Sequence, residues 1–214
     1  MTSKSDDRKA KTFVRTYLAS TCGVILREVT RRKGKKSVDF EMMDGSDRVL
    51  VAELKTFEYY PPSAGTGWVV NDDVDGSTEA YRVDHNAAGR LLEKISGAHK
   101  QVSAYPHPWA VILHNADIRM DISDFQEAFA GERMLGRIDG RRVVRANPAS
   151  YGRTVMTRYE IDLYIWVDEL DRPCRLGVYW STAMGETIGR KYFAAGVTQG
   201  KSPARWQRLR TPSP

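Results

Sequence analysis

The sequence predicts an α/β fold, and three observations carry that prediction. Residues 86–105 place Ala87, Leu91, Ile95, Ala98, Val102 and Tyr105 on one stripe at spacings of three and four, the period of an amphipathic helix. Residues 38–43 (VDFEMM) and 48–55 (RVLVAELK) read as strands on either side of Asp44-Gly45, a pair that tolerates the positive φ of a tight hairpin turn. Residues 109–115 (WAVILHN) form a short apolar run, as expected of a strand inside a sheet with helices on its faces.

The remaining elements follow in chain order. Residues 6–20 read as a helix, with Ala10, Phe13, Val14, Tyr17 and Leu18 on one stripe. Residues 24–29 (VILREV) read as a strand, followed by the basic turn TRRKGKKS around Gly34. Residues 56–83 are rich in Pro, Gly, Asn and Asp and read as a long loop, a length that usually serves a function. The helix over 86–105 is capped by Asp84 or Asn86 and ended by Pro106 and Pro108. Beyond the strand at 109–115, residues 122–135 read as a helix, and 154–167 and 174–181 as paired strands. From Gly200 the chain carries Lys201, Arg205, Arg208 and Arg210 without an acid and reads as a flexible basic tail. This divides the chain into a core over 1–115, an extension over 116–199 that packs on or extends the core sheet, and a tail over 200–214. No internal repeat is present.

Composition narrows the function. The chain has 214 residues, 41% of them hydrophobic and 28% charged, enough for one sizeable domain. Its formal net charge of +6 favours an anionic partner, nucleic acid ahead of a membrane surface. No apolar run reaches the length of a membrane span, and MTSKSDDRKAK lacks the apolar centre of a secretory signal. Cys22 and Cys174 are far apart without metal-ligand spacing and read as reduced thiols. A cytoplasmic location is the expectation.

The chemistry concentrates at the ends of the hairpin. Side chains alternate along a strand, so Glu53 and Lys55 project to one face, and Asp39 lies on the neighbouring strand. Two carboxylates so placed repel each other unless a cation sits between them, and oxygen ligands of this kind suit Mg²⁺ or Mn²⁺. Such an ion activates water and neutralises charge on a phosphate, and a neighbouring lysine adds to both effects.

Asp39, thirteen intervening residues and then Glu53-Leu54-Lys55, set in the order helix, three strands, helix, strand, resemble the PD-(D/E)xK nuclease superfamily over roughly residues 6–115. The resemblance implies a restriction-endonuclease-like core, a mixed central sheet flanked by helices, with an α+β extension after it. It implies that Asp39 and Glu53 bind Mg²⁺ or Mn²⁺ and that Lys55 assists phosphodiester hydrolysis, on DNA ahead of RNA. Many members carry a polar residue on the following helix, and Gln101 stands in a comparable place, with Lys94 on its side of the helix. Glu28 on the first strand and Glu41, which shares a strand face with Asp39, are further candidate ligands. Arg31, Arg32, Lys33, Lys35 and Lys36 are placed to contact phosphates. The chain departs from the family pattern in Val38, where Pro is frequent, and in the long 56–83 segment.

Competing readings remain open at this point. An E-x-K pair on its own is an ordinary ion pair of small worth. The charged pair here ends an apolar strand, where idle charges are costly, which favours a working site. A catalytically inactive nucleic-acid-binding module would keep the basic charge without needing all three motif residues. The region 116–214, with Trp166 and Trp180, could serve protein interaction, including a homodimer or an accessory protein. Asn71, Asp73, Asp75 and Gly76 fit the first half of a calcium loop, but its twelfth position is Arg82 rather than a bidentate Glu. His85, His99, His107 and His114 show no metal-ligand pattern.

Overall fold

A computed structural model describes residues 4–30, 37–58, 68–72, 78–82, 87–117, 120, 132–138, 141–146, 160–170 and 175–194. Helix α1 (Lys4–Cys22) packs its stripe of Ala10, Val14 and Leu18 into the core. It ends in a left-handed turn at Gly23, φ 69°, where the amides of Gly23 and Val24 donate to the carbonyls of Ala19 and Leu18. Only glycine adopts this φ without steric penalty, and the bonds satisfy carbonyls that a helix end leaves open. Strands β1 (Ile25–Glu28), β2 (Phe40–Asp44) and β3 (Asp47–Glu58) then form an antiparallel meander. The β2–β3 turn carries Gly45 at φ 61°, as the Asp-Gly pair requires.

Strands β4 (Trp68–Asp72) and β5 (Thr78–Arg82) pair as a separate hairpin. The long loop expected over 56–83 is thus corrected at both ends. β3 runs on to Glu58, and Val69 and Val70 with Tyr81 sit in a two-stranded ladder. β-branched and aromatic residues suit a pleated ladder, and the Gly and Asp content of the segment masked them.

Helix α2 (Ala87–Val102) crosses over and leads to β6 (Trp109–Ala116), which pairs with β3 in parallel, Glu53 beside Val111 and Lys55 beside Leu113. The expected helix over 122–135 is contradicted at its end, because β7 (Glu132–Ile138) pairs with β8 (Arg141–Ala146). Asp139-Gly140 between them is the same hairpin signal as Asp44-Gly45 and outweighs the helical pattern before it. Residues 121–131 lie outside the described residues. The strand expected over 154–167 begins at Leu163, and its residues 154–159 also lie outside. That strand, β9 (Leu163–Asp168), is parallel to β6, and β10 (Arg175–Trp180) pairs antiparallel with it. Helix α3 (Ala183–Tyr192) follows, capped by Thr182, whose hydroxyl accepts from the Gly185 amide.

The result is an α/β fold with one mixed six-stranded sheet in the order β1-β2-β3-β6-β9-β10. Helices α1 and α3 cover one face, over Phe40, Leu50, Ala52, Leu54, Ile112, Ile165 and Val178. Helix α2 covers the other, with Leu91, Ile95 and Ala98 over Phe57, Val111, Leu113 and Trp166. The inner strands β3, β6 and β9 are buried on both sides, which is why their sequences are nearly continuous apolar runs. Cys22 is a half-buried free thiol. Cys174 and the tail from Gly200 lie outside the described residues. Among the described residues, no helix is long and apolar enough to cross a membrane.

Candidate active site

Strand alternation decides which charges face which helix. Leu50, Ala52 and Leu54 point into the α1/α3 layer, so Val51, Glu53, Lys55 and Phe57 point to the α2 side. Val51 and Phe57 bracket the two charged residues and pack against Val102 and Leu91, so Glu53 and Lys55 lie beneath α2 itself. Glu53 is 2% exposed. Lys55 Nζ donates to Glu53 Oε1 at 2.8 Å and to Gln101 Oε1 at 2.6 Å. The lysine is held at both ends of its reach, by the strand that carries it and by the helix above.

Asp39 reaches the same stretch of β3 from the other side. The β2–β3 ladder runs from the turn to the Phe40–Ala52 pair. Just beyond, the amide of Leu54 donates to Asp39 Oδ2 at 3.1 Å. Asp39 therefore replaces a backbone partner at the point where the strands part, and it does so on the residue between Glu53 and Lys55. Its backbone is tied to β1 by the amide of Val29, 3.0 Å from the Asp39 carbonyl. Its other oxygen, Oδ1, accepts from Lys11 Nζ of α1 at 2.7 Å. Lys11 also meets Asp7 Oδ2 at 3.1 Å. Burial works to lower the Lys11 pKa, but the hydrogen bonds and charges of Asp39 and Asp7 outweigh it, and the pKa is raised.

The structure thus gathers Asp39, Glu53, Lys55 and Gln101 along one segment of β3, and it adds Lys11. Lys94 lies two turns before Gln101 on α2, near enough to Lys55 to feel its charge. Burial lowers its pKa, with the charge of Lys55 acting in the same direction and Glu58 and Glu93 opposing. Glu28 is not brought in: its carboxylate is about half exposed and pairs with Arg15 at 2.8 Å. Glu41 is taken by arginines as well, Arg27 at 2.6 Å and Arg48 at 3.8 Å. The basic turn of Arg31, Arg32, Lys33, Lys35 and Lys36 lies outside the described residues. Sequence reading missed Lys11. No sequence signal marked it, because a lone lysine beside an apolar helix stripe is an ordinary surface cation, and only the packing of α1 brings it to Asp39.

Among the described residues, no three of His, Cys, Asp and Glu gather as a metal-binding cluster. Asp39, just before β2, and Glu53, on β3, are two buried carboxylates, 5% and 2% exposed. Two carboxylates fit a hard ion of the Mg²⁺ type, which keeps several waters and takes phosphate oxygens rather than an all-protein cage. Comparison with protein-family models, with curated proteins and with solved structures finds no match for this chain.

Proposed function

We propose that this chain is a metal-dependent nuclease of the PD-(D/E)xK type, with a restriction-endonuclease-like core, acting on DNA ahead of RNA. One observation carries the reading: Asp39 binds the Leu54 amide, so the three motif residues converge on one segment of β3 although thirteen residues separate the first two. An idle surface hairpin gives no reason for this convergence. The order α1, three strands, α2, β6, with the β4–β5 hairpin inserted, supports the same reading. Asp39 and Glu53 would hold the divalent ion, which when bound supplies water activation and charge neutralisation at the scissile phosphate. Lys55 presents an ammonium beside Glu53, where it stabilises negative charge on the phosphate under attack. Gln101 fixes that ammonium through its Oε1, and its side-chain NH2 can donate to water or a phosphate oxygen. Lys94 places a second positive charge on the same side for the nucleic-acid backbone.

The test is cleavage of plasmid, linear single-stranded DNA and RNA in Mg²⁺, Mn²⁺ or EDTA. Lys55→Ala and Asp39→Ala are run beside the unaltered protein. The expected outcome is metal-dependent cutting that both variants lose by at least about a hundredfold, the scale of a removed electrostatic stabiliser. Cutting by Lys55→Ala at the unaltered rate would remove the assignment.

The second reading is a nucleic-acid-binding module on the same fold without catalysis. It is favoured by the engagement of both Asp39 oxygens by protein donors. It predicts equal binding by all three proteins, indifferent to EDTA and weakened steeply by salt.

A further inference from the structure

On the reading of the site as a metal-dependent nuclease, we infer that Lys11 is a built-in cation that takes the place of a second metal ion and restricts the centre to one divalent ion. The Asp39 carboxylate has two sides. Oδ2 faces β3, on the Leu54 amide beside Glu53. Oδ1 faces α1 and is held by Lys11 Nζ at 2.7 Å. The lysine is not a wandering surface side chain. Its side chain is 13% exposed, its neighbours Ala10 and Val14 are buried in the core, and Asp7 grips its ammonium from the preceding turn at 3.1 Å. A divalent ion at Oδ1 would meet this fixed charge at ligand distance. One at Oδ2 would meet the neutral amide of Leu54, the residue after Glu53, instead of an ammonium. Lys11 thus neutralises the α1 side of Asp39, while Oδ2 accepts from a neutral backbone amide, a bond that a metal-ligating oxygen can keep. Lys55 has a different role, because it is bound to Glu53 and Gln101 on the α2 side.

The experiment is calorimetric titration of the full chain with Mn²⁺, without nucleic acid, for the unaltered protein, Lys11→Gln, Lys11→Glu and Asp39→Asn. Thermal melts in EDTA verify folding. The expected results are one ion for the unaltered protein and one ion for Lys11→Gln, bound about tenfold tighter, the low end of what a single adjacent like charge does to an ionic equilibrium. Lys11→Glu, which adds a third carboxylate, takes two ions, and Asp39→Asn takes none. Two ions on the unaltered protein, or unchanged affinity in Lys11→Gln, would overturn the role of Lys11. If Lys11→Glu does not fold, the affinity of Lys11→Gln still tests whether the charge of Lys11 acts on the ion, and the ion count of the unaltered protein tests the restriction to one. The two readings fail differently: one-ion binding lost in Asp39→Asn but unmoved in Lys11→Gln removes only the Lys11 role, whereas no Mn²⁺ on any of the four proteins removes the metal centre and Lys11's role with it.

Discussion

At the scale of single residues, what distinguishes this chain is where its cations sit. Burial lowers the pKa of Lys94, and Lys55 stands close enough under α2 to push it in the same direction. Like charges crowded in this way are costly until an anion arrives, and a phosphate backbone is such an anion. If the proposed nuclease reading holds, Lys94→Ala should weaken binding to DNA at low salt by several-fold and flatten the plot of log affinity against log salt by about one unit, the loss of one phosphate contact. Fluorescence anisotropy across a salt series measures both. An unchanged slope would place the phosphates elsewhere. That Asp39 lies against the Glu53–Lys55 stretch was legible in the sequence, because the Asp44-Gly45 turn folds the two segments together. Lys11 was not, since an isolated lysine on a helix carries no such signal and only the packing of α1 delivers it to Asp39.

At the scale of elements, α3 shows how closely the parts must fit. Its N-terminus is held through Asp162, whose Oδ1 accepts from the Thr182 hydroxyl at 2.6 Å and whose Oδ2 accepts from the Trp109 amide at 2.8 Å. One buried carboxylate thus joins the starts of β6 and β9 to α3. Just behind the cap, a Cβ on Gly185 would overlap the Asp162 carbonyl oxygen, and one on Gly189 would press on the Trp180 ring at 2.9 Å. Gly185→Ala should destabilise the protein by about 1–3 kcal/mol, the usual cost of overpacking. Gly97 in α2 is the control. A Cβ there meets nothing within 4 Å, so Gly97→Ala should stabilise by about 0.5–1 kcal/mol through helix propensity alone. Urea denaturation of the two variants gives both signs, and equal effects would contradict this packing. Elements were legible where one period dominated, as in α1, α2 and β6. The β7–β8 hairpin was not, because the helical pattern before Glu132 ran into an Asp-Gly turn signal that went unread.

At the scale of the whole molecule, acid should weaken the fold through His114. This residue is 2% exposed on β6, with Nε2 against Glu169 Oε2 at 2.8 Å and its ring 5.3 Å from Phe13 of α1. Asp6, Lys9 and Glu58 line the cavity beside it, and Asp168 adds its charge. Burial lowers the His114 pKa below 6.5 against the opposing pull of Glu169 and Asp168. A depressed histidine binds fewer protons folded than unfolded. Its contribution to stability is therefore full above the unfolded value and declines as pH falls below about 6.5 toward the folded one. The slope from this one proton is at most about 1.4 kcal/mol per pH unit. Urea midpoints between pH 8 and pH 5 should fall more steeply for the unaltered protein than for His114→Leu. Parallel curves would assign the acid sensitivity to other groups.

By itself the sequence determined the α/β class, the helix-strand order up to β6 except for the inserted β4–β5 hairpin, and the β2–β3 hairpin. All of these are local, because hydrophobic period, turn residues and spacing act within a dozen neighbours along the chain. Only the tertiary structure decided that β9 and β10 extend the same sheet, that Glu28 and Glu41 are taken by arginines, and that Gln101 reaches Lys55 across forty-six residues. It alone decided that Lys11 meets Asp39. Each of these depends on which face of which element lies against another. That choice is made by the burial of two whole layers of apolar side chains at once, and no local pattern encodes it.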